Sequence, residues 1–168
     1  MRAFRLALTS ACLAAAAWPV YAAGTVEVTL VAPASYIDAG NDPADAEANR
    51  NTLAAYLREL GQRYLKPEEV LKIEILDLDI AGTLRPAPRV GSGQVRIARG
   101  GADWPRIKMR YTLLADGKTV QSGEETVADM NYLRRAPGYR GDDPLGHEKR
   151  MLADWFKARF VEHKPAAG

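Results

Sequence analysis

Residues 107–128 read IKMRYTLLADGKTVQSGEETVA, two strand-like runs joined by Asp116-Gly117. Asp-Gly between β-prone runs is a strong short-range hairpin signal, because the tightest hairpin turn needs positive φ at both central residues and these two types take it at low cost. Ile107–Leu114 and Thr119–Ala128 are therefore expected to pair antiparallel. A two-residue loop sets Lys108 opposite Glu125, a favourable cross-strand charge pair, and Gly123 is a place where a second bulge would shift that register. Arg106, Lys108 and Arg110 then form a basic stripe on one face.

Upstream, Val70–Ile80 (VLKIEILDLDI) changes phase: Leu71, Ile73 and Ile75 are apolar at odd positions, then Leu76, Leu78 and Ile80 at even ones. A bulge at Ile75-Leu76 turns Lys72, Glu74, Asp77 and Asp79 outward together. Without it, Asp77 and Asp79 share a face with Ile73 and Ile75. Residues 25–31 (TVEVTLV) alternate as a half-buried strand that ends at Ala32-Pro33, and Val95–Ala98 is a short strand after a Gly- and Pro-rich connecting loop at 82–93. Leu53, Tyr56, Leu57, Leu60 and Tyr64 recur at helical spacing up to Pro67, while 35–49 reads as a surface loop or a loosely formed start of that helix. After a polar loop at 131–142, a last helix opens at Asp143-Pro144, a cap followed by proline, and runs to about Glu162 with Leu145, Leu152, Trp155, Phe156 and Phe160 as its apolar stripe. The order β-α-β-β-β-β-α implies an α+β two-layer domain. Its expected form is a mainly antiparallel sheet of four to five strands with both helices packed on one face.

Residues 1–22 have the layout of a cleaved export signal: Arg2 and Arg5, a 12-residue apolar run from Leu6 to Ala17, and small residues at Val20 and Ala22. Maturation is expected at Ala23, leaving 23–168 as a single globular domain of 146 residues. The apolar run is short of the ~20 residues a transmembrane helix needs, so the chain is expected to be periplasmic with no transmembrane segment. The sole cysteine, Cys12, lies inside the signal, which leaves the mature chain without disulfide, thiol nucleophile or thiolate ligand. Thr9-Ser10-Ala11 before it lacks the leucine of a lipid-attachment site. Removing the signal balances the charge at 21 bases and 21 acids, which argues against a nucleic-acid or membrane-surface partner. That charge is segregated, with 11 acids and 5 bases over 27–80 against 7 bases and one acid over 81–115, so the two regions are placed to neutralise each other on folding.

Few residues suggest chemistry. Asp77, Asp79, Asp129 and Glu148 are the metal candidates, since a hard cation needs several oxygen ligands, although alternating acids on a strand ordinarily form its solvated face. Glu148 follows His147, but neighbours on a helix point about 100° apart, so Glu148 is instead expected to pair with an arginine of the basic strip or the 131–142 loop. With His147 and His163 as the only histidines, a histidine-rich zinc site is excluded. No nucleophile elbow surrounds Ser35, Ser92 or Ser122, and no phosphate-cradling loop or dinucleotide fingerprint occurs, so no catalytic residue and no cofactor is assigned. Trp104, Arg134, Arg135 and Tyr139, with Tyr132, Arg99, Arg106 and Arg140, are the partner-binding candidates, the competing reading being a lid of loops over the sheet edge.

The succession VAPASYIDA, EILDLDIAGTLRP, VRIARGGADWPRIKMRYTL, VADMNYL and PLGHEKRMLADWF resembles the bacterial family called domain of unknown function 3016, across nearly the whole mature chain. The most specific pieces are Asp77 to Gly82, Asp129-Met130-x-Tyr132, and Glu148-Lys149-x-Met151-Leu152-x-x-Trp155-Phe156; before the Glu-Lys pair, where an aromatic residue is common in the family, this chain has His147. The resemblance implies an exported protein of proteobacterial type and supplies no activity. The leading expectation is a non-enzymatic binding or accessory module of the cell envelope, engaging an envelope protein or cell-envelope component through a sheet edge or the arginine-aromatic loops. The alternative is a metal-binding protein or hydrolase built on the carboxylates. The oligomeric state is left open.

Overall fold

In the computed structural model, residues 23–86, 94–97, 101, 103–134 and 143–164 are described. The elements run β1 (Thr25–Leu30), α1 (Pro43–Tyr64), β2 (Glu69–Asp79), β3 (Thr83–Pro86), β4 (Gln94–Ile97), β5 (Arg106–Ala115), β6 (Lys118–Ala128) and α2 (Gly146–Phe156), the last continued by a π-helical turn at Lys157–Val161. β1-β2-β5-β6 form one open sheet, parallel between β1 and β2 and antiparallel elsewhere. β3 and β4 pair separately, so the segment read as a connecting loop begins with a four-residue strand. The α+β two-layer arrangement expected from the pattern is the one observed, with the helices and the inward residues of β1, β2 and β5 sharing one core.

β2 carries the expected bulge. Its register with β5 shifts between Ile75 and Asp77, so Leu71, Ile73, Ile75 and Leu78 are all buried. The segment after β1 holds the bulge in place. Tyr36 Oη donates to the Ile75 carbonyl at 2.7 Å, and Asp77 Oδ1 accepts from the Ile37 and Leu78 N–H groups, both at 2.9 Å. On the solvent face the acidic strands meet the basic one: Arg110 bridges Glu74 and Glu124 at 2.8 Å each, Lys108 reaches Glu124 at 3.0 Å, and Arg106 pairs with Asp79. Each exposed pair of this kind contributes at most about 1 kcal/mol, so the array sets strand neighbours more than it sets stability.

The hairpin turns as expected at Asp116 (φ 49°) and Gly117 (φ 74°), with Ala115 opposite Lys118. The cross-strand pairing beyond it differs from the expectation. An extra residue, Val120, enters β6 between the partners of Leu114 and Leu113, so Lys108 lies opposite Thr126, and Glu125 lies opposite Met109 on the helix side. Gly123 is not the bulge; it faces Tyr111, where a Cβ would come within 2.8 Å of the phenol oxygen.

α1 takes the helical one of the two readings of 35–49, whereas α2 starts after the Asp-Pro pair read as its cap. α1 begins at Pro43, capped by Asp42, whose side chain accepts from Ala44 N and Asp45 N at 2.9 Å. Asp143-Pro144 forms a turn instead, Asp143 Oδ1 accepting from Leu145 N at 3.0 Å and its carbonyl accepting from Gly146 N, and α2 starts at Gly146. The expected stripe on α2 is buried as read, from Leu145 to Phe160. Its buried pairs, Met151/Leu152, Trp155/Phe156 and Arg159/Phe160, recur every four residues, and a straight α-helix would carry such a stripe about 40° around its axis per step. The wider π-helical turn, closed by Glu162 N to Lys157 O at 2.9 Å, brings the last pair back onto the sheet.

α1 approaches β1 closely because Gly61 has no side chain: a Cβ there would fall inside the contact distance of Val26. Gly61→Ala therefore trades about 1 kcal/mol of gained helix propensity against an overpacking cost of about 1–3 kcal/mol and is expected to lower the urea midpoint. In the Val26→Ala background the same substitution is expected to cost less, and additive effects of the two changes would contradict this contact.

Candidate functional site

The Val120 bulge delivers Glu125 to the face covered by α2, where a carboxylate needs a partner. Arg159 supplies it in bidentate geometry, Nε to Oε1 at 2.8 Å and Nη2 to Oε2 at 2.7 Å, with both side chains only 7% exposed. The Trp155 indole N–H donates to the same Oε1 at 2.9 Å, and Arg159 Nη1 reaches the Lys164 carbonyl at 3.0 Å. Tyr111, Trp155 and Phe160 pack edge-on around the pair, with ring centroids 5.3–5.7 Å apart. Burial pushes the Glu125 carboxyl up, but the hydrogen bonds from Arg159 and Trp155 outweigh it and hold the group below the usual carboxylate range. Burial likewise raises the Tyr111 phenol, which stays neutral.

This network forms one end of a cavity of about 310 Å³ between β6 and α2. Val127, Ala128, Met151, Trp155 and Ala158 provide its apolar wall, and its charged lining consists of Glu125, Asp129, Asp154 and Arg159. β6 is the last strand of the open sheet, so the cavity lies along a sheet edge.

The four carboxylates singled out above each have a local partner in the structure. Asp77 and Asp79 are on the solvent face of β2, the first holding the Ile37 and Leu78 N–H groups and the second paired with Arg106. Asp129, buried at the end of β6, accepts from Asn131 N at 3.0 Å and shapes the turn that follows. Glu148 is fully buried on α2 and accepts from Ala81 N at 3.3 Å, tying the helix to the chain just after β2. Among the described residues no three His, Cys, Asp or Glu side chains gather as a metal site. Asp129 alone of the four lines the β6 cavity.

Of the partner-binding candidates, Trp104 is half-buried just before β5, and Arg134 is exposed in the turn after β6, beside exposed Met130 and Leu133. Arg135 and Tyr139 lie outside the described residues. Tyr132 is buried and meets the His147 ring edge-on, centroids 4.8 Å apart. Sequence reasoning missed Glu125 and Arg159 as a site. The unbulged register sets Glu125 opposite Lys108, and the one available signal is Arg159, one turn after Trp155 on the last helix.

The family model described as "Protein of unknown function (DUF3016)" matches residues 24–158. No curated protein matches the chain. The matched span includes β6 and the cavity lining as far as Ala158.

Removing one member of a buried pair strands the other, so Arg159→Leu is expected to cost about 3 kcal/mol, and Glu125→Leu combined with Arg159→Leu much less. Because folding lowers the Glu125 pKa, the stabilisation is complete above the unfolded-chain value and is lost as pH falls through the folded one. The stability gap between the wild type and Glu125→Gln should therefore shrink on acidification, as read from urea unfolding at several pH values; a gap independent of pH would contradict the assignment.

Proposed function

We propose that this chain, which belongs to the DUF3016 family, is an exported periplasmic binding module without enzymatic activity, and that it engages an envelope protein through the β6 edge and the adjoining cavity. The observation that carries the reading is an 11-residue strand at the border of an open sheet with a partly apolar cavity along its flank. Among the described residues β6 pairs only with β5, so its second edge offers backbone groups to an added strand. The opposite border strand, β1, is only six residues long.

Export is supported by the basic, apolar and small-residue succession of residues 1–22. A binding role rather than catalysis is supported by the local work of the candidate acids: Asp77 and Asp129 hold backbone N–H groups, Asp79 pairs with Arg106, and Glu148 accepts from Ala81 N. None of these arrangements has the form of a nucleophile beside a base. In the described structure no helix is long and apolar enough to cross a membrane.

Two measurements test this. Mass spectrometry of the protein from the periplasmic fraction should find Ala23 as the first residue; a cytoplasmic protein retaining residues 1–22 would refute export. A photo-crosslinking side chain in place of exposed Thr126 should capture an envelope protein in cells, and Ala158→Arg, which fills the cavity from the helix side, should abolish the adduct without lowering the melting temperature. An adduct indifferent to Ala158→Arg would remove the cavity from the reading.

A further inference from the structure

We infer that the hollow between the Pro33–Gly40 segment and the start of α1 is a second binding site, and that it takes a small zwitterion, a free α-amino acid with an apolar side chain. The hollow lies beyond the carboxyl end of β1 and is separate from the β6 edge. β1, α1 and β2 form a crossover between parallel strands, and the carboxyl end of such a unit is where open α/β sheets bind ligands. Its volume of about 500 Å³ is within the range of small-molecule sites. Pro33, Tyr36, Ile37, Ala39, Pro43 and Ala46 give it an apolar wall, on which Ile37 is 65% exposed. That wall is held in place without a ligand. Asp38 N donates to the Leu78 carbonyl at 3.1 Å, Ile80 N to the Asp38 carbonyl at 2.9 Å, and Asn49 Nδ2 to the Ala39 carbonyl at 2.9 Å. Gly40 lets the segment close on α1, where a Cβ would come within 2.6 Å of Ala46 N.

The lining carries two opposite charges that do not meet. Among the described residues half-buried Arg50 makes no ion pair, and its one hydrogen bond, from Nη1 to the Pro33 carbonyl, is 3.5 Å long. A guanidinium has several further N–H donors, in a fork that matches a carboxylate. Asp42 caps α1 through Oδ1 and likewise forms no ion pair among the described residues. About 12 Å of helix axis separates Asp42 from Arg50, and the arginine leans back toward the helix start, so both charges border one cavity across a gap. A ligand with an ammonium at the Asp42 end and a carboxylate at the Arg50 end bridges that gap, its side chain against Tyr36 and Ile37. A plain carboxylate or a phosphate answers Arg50 alone and is repelled by Asp42 and by Asp38, the remaining charged lining residue, whose Oδ1 accepts from Gly40 N at 3.2 Å. A plain amine leaves Arg50 without a counter-ion.

The test titrates the isotope-labelled protein, purified from cells, with L-leucine and L-phenylalanine and with three analogues of leucine. Glycine lacks the apolar side chain, N-acetyl-leucine lacks the ammonium, and leucinamide lacks the carboxylate. Leucine or phenylalanine should bind saturably and shift amide signals between residues 34 and 46, with at least about tenfold weaker binding of each analogue. Asp42→Asn keeps the cap, because asparagine caps a helix as well as aspartate does, and removes the charge. It should weaken leucine about tenfold and leave N-acetyl-leucine no weaker, whereas Arg50→Gln should weaken leucine about tenfold and leave leucinamide unchanged, both with the melting temperature of the wild type. Equal binding of N-acetyl-leucine or of leucinamide would overturn the zwitterion assignment, and equal binding of glycine would overturn the role of the apolar wall. Shifts centred on the β6–α2 cavity, leucine binding indifferent to both substitutions, or no saturable binding by leucine or phenylalanine would overturn the site. None of these outcomes bears on crosslinking at Thr126, so the docking reading stands or falls separately.

Discussion

A strand's two faces alternate with a period of two, so a single inserted residue exchanges every side chain beyond it between core and solvent. This sheet contains two such insertions, and most of its architecture depends on them. Leu76 in β2 lets Leu71, Ile73 and Ile75 on one side of the bulge and Leu78 on the other face the same core, while Asp77 and Asp79 lie half-buried on the opposite face. Val120 in β6 has the opposite effect on polarity, because it carries an acid, Glu125, to the inside.

Packing shows why the second insertion is tolerated. With it, Tyr111 lies opposite Gly123, the one residue in that strand without a Cβ to meet the phenol; without it, Ser122 would stand there. The same shift aligns Glu125 with a guanidinium and an indole N–H held by α2, and the π-helical turn keeps Arg159 and Phe160 over the sheet. The desolvation of the carboxylate is thus answered by directed donors from Arg159, Trp155 and Tyr111. A network of this kind adds little net stability over an apolar packing, but it ties the border strand to the last helix in one register.

That coupling bears on function. A border strand that accepts a further strand must be held from behind, and β6 is held by β5 along its length and by the Glu125–Arg159 pair at the cavity. Family membership extends over this region and adds no activity of its own. The proposed role as a docking edge draws on the sheet border and the apolar wall of the cavity, two features of one surface.

The amino-acid sequence by itself determined the element order, the α+β class, the Asp116-Gly117 hairpin and the phase change in Val70–Ile80, because each is written in local periodicity or in turn residues with few conformational options. The stripe on the last helix was legible for the same reason. Two Asp-Pro pairs show the limit of that reading: Asp42-Pro43 caps a helix and Asp143-Pro144 makes a turn before one, although each offers the same acceptor and the same missing N–H. Their difference is decided by where the following residues find partners. The Val120 bulge, and with it the inward Glu125, was likewise not legible, since valine is an ordinary strand residue and nothing within β6 marks it. Only the tertiary structure decided that register, because the interactions that select it, Tyr111 over Gly123 and Glu125 with an arginine 34 residues away, exist only once the hairpin and α2 have packed together.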